Sequence, residues 1–150
     1  NTDSNTLDDY EEGTFTPTLL GASSNPVISA GSFSGTYRKV GDAVLLFIYG
    51  GFTLSNVGSG TISIGAIPFT SNSGGGGTGG YNAPFSGRGF SVSDTTKIVV
   101  PRLNPGDTNM TIRLFDQNDY PAGESAATNA NLSTSANGAN WVISLIYFTS

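Results

Sequence analysis

The chain has 150 residues, with six Lys or Arg against eleven Asp or Glu, and contains neither His nor Cys. A net charge of −5 argues against the basic face by which proteins grip phosphate backbones. The missing imidazole and thiol remove the commonest general base, the usual transition-metal ligands and the thiol nucleophile. With 37% hydrophobic residues, 21 glycines and few strong helix formers, one all-β domain held by packing and hydrogen bonds alone is expected.

The first element is acidic. Asp8-Asp9-Tyr10-Glu11-Glu12 gathers four of the eleven carboxylates, a donor type that suits Ca²⁺, but the spacing is not that of a calcium loop. Residues 1–12 therefore read as a solvated stem or connector, and 13–150 as the folded domain. The chain opens on Asn1 with neither Met nor a signal-peptide pattern, so a piece of a longer protein is expected. The longest apolar run, 43–49, is far shorter than a membrane span, and no membrane insertion is expected.

Eight strand-like segments follow: 13–20, 33–40, 43–53, 60–67, 87–92, 97–103, 110–116 and 140–149. In 61–67 and 110–115 every second residue is apolar, which gives each of those strands one wet face. By contrast 43–49 and 141–148 are apolar on both faces, so both faces need cover, and another subunit could supply the second. Val40-Gly41-Asp42-Ala43 and Asn104-Pro105-Gly106-Asp107 are hairpin turns in which glycine supplies positive φ. Hairpins at this spacing give an antiparallel β-sandwich of about eight strands, and two long polar loops favour a jelly-roll-like arrangement. The first loop, 70–80, is nearly pure Ser, Asn, Thr and Gly and is expected to move unless packed on a partner. The second, 117–138, is long for a compact domain, and 126–130 suits a short helical turn.

Catalysis is not expected. A Ser with a Lys, or paired carboxylates, would have to carry it, yet Lys39 and Lys97 lie in strand patterns without a supporting motif. The glycines of 74–80 are followed by neither Gly-Lys-Ser nor a helix, so no phosphate loop forms there and no cofactor is expected. Two loops suit small polar ligands. Asp116, Asn118, Asp119 and Tyr120 combine acids, an amide and an aromatic ring, the mixture that stacks on and bonds to a sugar, although an Asx-type turn needs the same residues. Tyr81, Asn82 and Arg88 mark the second loop, against ordinary loop packing. Phe47, Tyr49, Trp141, Ile143 and Tyr147 belong to the doubly apolar strands and are expected in the core or at a subunit interface.

The run Asn5-Thr6-Leu7-Asp8-Asp9-Tyr10-Glu11-Glu12-Gly13-Thr14-Phe15-Thr16-Pro17-Thr18-Leu19 resembles a signature near the start of C-terminal domains of bacteriophage tail fibres and tailspikes. Gly35-Thr36-Tyr37-Arg38-Lys39-Val40-Gly41, Ile67-Pro68-Phe69-Thr70 and the ending 143–149 look like later parts of that pattern, while 74–138 matches loosely. The resemblance implies a homotrimer at the fibre tip of a virion, joined to an upstream fibre region and exposed to the host exterior. It further implies contact with a host-surface glycan or outer-membrane protein. The rival expectations are a purely structural cap that closes the trimer, and, third, a polysaccharide depolymerase.

Overall fold

Two long runs, Val27–Val40 and Ala43–Asn56, form the principal hairpin, because Gly41 takes a φ of +58° in the two-residue turn that places Val40 opposite Ala43. The computed structural model describes residues 9–74, 80–90, 97–118, 123–132 and 138–149. Within them the strands are β1 (Tyr10–Phe15), β2 (Thr18–Gly21), β3 (Val27–Val40), β4 (Ala43–Asn56), β5 (Ile62–Gly65), β6 (Tyr81–Asn82), β7 (Phe85–Arg88), β8 (Lys97–Leu103), β9 (Met110–Asp116), β10 (Glu124–Ala126) and β11 (Ala139–Phe148). All pairings are antiparallel. Sheet A has the order β1-β3-β4-β11-β7, and sheet B the order β2-β5-β9-β8-β6 with β10 also beside β9. The chain passes repeatedly from one sheet to the other, in the jelly-roll-like manner expected for a sandwich.

The strand count exceeds the eight segments read from alternation, for local reasons. The run 13–20 is cut at Thr16 and Pro17, where proline has no N–H to continue a ladder, so β1 joins sheet A and β2 joins sheet B. Strands of two to four residues such as β6, β7 and β10 are too short to show a period. Strand β1 starts at Tyr10 opposite Val40, so pairing runs through the stem boundary expected at residue 12. Gly35 lies under the Phe15 ring, where an added Cβ would stand 2.3 Å from the ring carbons. Gly31, at φ +91° beside the bulge in β3, leaves no room for a side chain against Gly51.

Alternation fills the space between the sheets. Val44, Leu46 and Ile48 of β4 and Ile143, Leu145 and Tyr147 of β11 are buried, and so are Ile62 and Ile64 of β5, Leu103 of β8, and Met110, Ile112 and Leu114 of β9. Each such aliphatic side chain stabilises the fold by about 1.5–3 kcal/mol relative to exposure. Burial raises the Tyr147 phenol well above its ordinary pKa, so it stays protonated and donates to the Phe69 carbonyl oxygen at 3.1 Å. At one end Trp141 is ringed by Phe33, Phe52, Phe85 and Phe90, with centroids 5.1–5.9 Å away, and its indole N–H donates to the Arg88 carbonyl oxygen at 3.1 Å.

Both long loops begin in ordered contacts. Ser71 is fully buried and donates to the Asn104 carbonyl oxygen at 2.6 Å, which ties the loop expected to be mobile to the turn of the β8–β9 hairpin. The second loop carries β10 and one 3-10 turn at Asn129–Asn131, close to the short helical turn expected at 126–130. No helix among the described residues is long and apolar enough to cross a membrane.

Candidate functional site

The outer face of sheet B is set by the parity of its strands. In β8, Ile98, Val100 and Arg102 point away from the core; in β9, Thr111, Arg113 and Phe115 lie opposite them, and Glu124 and Ala126 of β10 lie beside Phe115 and Arg113. Asn82 of β6 pairs with Arg102 at the sheet edge. The Arg102 guanidinium meets both oxygens of Glu124, Nη1 to Oε1 at 2.5 Å and Nη2 to Oε2 at 3.1 Å, and donates through Nε to Asn82 Oδ1 at 2.9 Å. Arg113 Nη2 reaches the same Glu124 Oε1 at 2.5 Å. One carboxylate thus sits between two guanidiniums, all three side chains less than a third exposed, and the trio keeps an excess of positive charge in an acidic protein. Arg102 also lies over the Phe115 ring, 5.4 Å from its centroid.

This network braces a depression of about 480 Å³ whose floor is Ile98, Val100 and Phe115 and whose rim is Asn82, Asp116 and Gln117. Two of the residues singled out in the sequence, Asn82 and Asp116, therefore meet here from the ends of different strands, β6 and β9. Asp116 Oδ1 also accepts from the Asn118 backbone N–H at 2.9 Å, so the Asx-type turn is formed, with Asn118 exposed beside it. Asp119 and Tyr120 lie outside the described residues. Tyr81 turns inward: its ring packs 6.2 Å from Tyr147, and its buried hydroxyl has no hydrogen-bond partner among the described residues. Arg88 stands apart at the end of β7, beside Asn140 on sheet A. Arg102, Arg113, Glu124 and Phe115 were not singled out in the sequence. Residues 113 and 115 carried a signal in parity, since they fall on the outward phase of the alternating run 110–115, whereas Arg102 carried none because Ile98, Val99 and Val100 interrupt alternation in 97–103.

Because Glu124 is the only anion in the trio, Glu124→Gln is expected to leave two guanidiniums facing each other. A loss of about 2 kcal/mol in unfolding free energy is expected, below the cost of breaking a fully buried pair because all three side chains keep some water. Urea denaturation followed by tryptophan fluorescence measures it.

The outer face of sheet A has a different character. Of the nine large hydrophobic side chains left exposed among the described residues, seven (Tyr10, Val40, Phe47, Tyr49, Val142, Ile146 and Phe148) lie on this face. Tyr49 stands opposite Val142, and Phe47 opposite Ser144. The five apolar residues singled out in the doubly apolar strands are separated by parity: Trp141, Ile143 and Tyr147 are fully buried between the sheets, and Phe47 and Tyr49 are 44% and 52% exposed. Monomers seldom leave so continuous an apolar face uncovered. The two glutamates of the acidic run are engaged at the rim of this sheet, Glu11 accepting from the Tyr37 hydroxyl and Glu12 from the Tyr10 hydroxyl, each at 2.6 Å, and Glu12 also lies 3.7 Å from Arg38. These contacts raise the pKa of both phenols above the ordinary value. Asp8 lies outside the described residues.

No family model matches the chain, and no curated protein matches it. A solved structure does: the crystal structure of the Dettilon tailspike protein superposes with a TM-score of 0.65 over 93% of this chain, at 17% sequence identity. The likeness is to a tailspike. At that identity the tailspike comparison establishes a shared fold, and this chain spans 24% of the tailspike chain's length.

Proposed function

We propose that the domain is the receptor-binding tip of a bacteriophage tail fibre or tailspike, a homotrimer that attaches the virion to a saccharide or protein on the host surface. The observation that carries this reading is the tailspike likeness over nearly the whole chain. The two unlike faces fit it. The apolar face of sheet A is suited to meet sister copies, which leaves the face of sheet B outward, where the depression pairs an aromatic floor with amide and carboxylate rims suited to a pyranose. The role requires binding and no turnover. Three linked sites turn weak single contacts into firm attachment.

The test is binding of the purified oligomer to an array of bacterial surface glycans and to whole cells. Phe115→Ala and Asn82→Ala are each expected to weaken binding about tenfold or more, with the oligomer intact, as stacking and a polar contact are lost. If the oligomer binds neither glycans nor cells, yet its deletion unravels the fibre, the domain is a structural cap.

A further inference from the structure

Chemistry dictates how the Asn82 amide is turned. Arg102 Nε carries a single hydrogen and can only donate, so the Asn82 atom 2.9 Å from it is the carbonyl oxygen Oδ1. Arg102 is itself held by both oxygens of Glu124, which fixes the amide from behind. The other branch, Nδ2 with two hydrogens to donate, has no partner among the described residues, and Asn82 is exposed at the rim of the depression on sheet B. At this end the depression therefore offers a donor and asks for an acceptor.

The floor makes a second demand. Arg102 already lies over the Phe115 ring, 5.4 Å from its centroid, so one face of that ring is taken, and the rest of the floor is the aliphatic pair Ile98 and Val100. A hydroxyl set down on this strip loses its water without gaining a partner, whereas a methyl group gains by burial. The register orders these demands along β8. Asn82 stands opposite Arg102, Val100 and Ile98 follow at the next two outward positions, and Asp116 stands opposite Lys97 at the far end. At about 3.3 Å per residue the strip is long enough for a sugar ring together with a substituent. The fitting ligand carries a carbonyl oxygen next to a methyl group, on a ring whose hydroxyls can reach the acidic end.

We propose that the depression selects an N-acetylated amino sugar: the acetamido oxygen accepts from Asn82 Nδ2, the methyl lies on Val100, the ring covers Ile98 and Phe115, and its hydroxyls reach Asp116 and Gln117. The proposal rests on the reading of sheet B as the ligand-binding face. A 6-deoxy sugar brings the methyl without the acceptor. A uronate brings the acceptor without the methyl and sets a negative charge in the same depression as Asp116. An O-acetyl ester brings both, but an ester carbonyl accepts a hydrogen bond more weakly than an amide carbonyl does.

The test uses methyl glycosides of glucose, galactose and mannose, each paired with its N-acetylamino counterpart, titrated into the purified chain and followed by saturation-transfer NMR. At least one acetamido sugar is expected to bind about tenfold more tightly than its hydroxyl partner, with the strongest saturation at the acetyl methyl. Asn82→Asp keeps an oxygen for Arg102 Nε but replaces the Nδ2 donor with an acceptor, so the ratio within that pair should fall to about one while circular dichroism shows the fold intact. An unchanged ratio in this variant overturns the proposal. Equal binding of both members of every pair, or equally tight binding of 6-deoxy or O-acetyl glycosides, also overturns it and leaves sheet B standing as the ligand-binding face. If no sugar of the set binds, the proposal falls as well, and attachment of the oligomer to whole cells decides separately whether the receptor-binding reading falls with it.

Discussion

Trp141→Ala is expected to cost about 4 kcal/mol of folding free energy, which leaves little of the 5–15 kcal/mol typical of a domain. The indole is fully buried and touches four phenylalanine rings drawn from both halves of the chain: Phe33 of β3, Phe52 of β4, Phe85 of β7 and Phe90. Its removal opens a cavity that rigid neighbours cannot refill. It also leaves the Arg88 carbonyl oxygen without the indole N–H that anchors the end of β7. Guanidinium denaturation followed by far-UV circular dichroism reads the loss directly, and Trp141→Phe should recover more than half of it. A cost under 1 kcal/mol would mean that this aromatic end of the sandwich is loosely packed.

Phe47→Glu is expected to have its large effect elsewhere, on the assembly of copies proposed above. The side chain is 44% exposed in the isolated chain, so the monomer should change by no more than about 1 kcal/mol, whereas a carboxylate in the centre of an apolar contact must be desolvated without a partner. Light scattering should show the oligomer reduced to monomer. Attachment to cells should then fall by about 10²–10⁴, the share that multivalency contributes. Retention of the oligomer would show that the copies meet through another surface.

The fold was legible where runs of strand-forming residues lay between clear turn signals. The strands at 97–103 and 110–116 were delimited to the residue, and both glycine turns, Gly41 and Gly106, have the positive φ expected of them. What could not be read was the division of a single run between two sheets at Pro17, or strands of two to four residues, where a period has no room to appear. Sequence marked 43–49 and 141–148 as apolar on both faces but could not say which phase faced inward. The structure buries Val44, Leu46 and Ile48 with Trp141, Ile143 and Tyr147, and exposes Phe47, Tyr49, Val142 and Ile146. The candidate site was only partly visible, because Asn82 and Asp116 stood out as loop residues, whereas the Arg102–Glu124–Arg113 network joins three strands whose pairing no local pattern announces.

The position of β11 sets the order in which this molecule can be finished. Every strand that β11 joins precedes it, and its last bond ties Thr149 to Asp42, 107 residues earlier. During synthesis on the ribosome the greasy centre of sheet A therefore stays divided until the final residues of β11 have emerged, and closing so distant a pairing is slow. A chain stopped short of β11 would lack Val142, Ile146 and Phe148, three of the seven exposed large hydrophobic side chains on the outer face of sheet A, and under the proposed function prematurely ended products would exclude themselves from assembly.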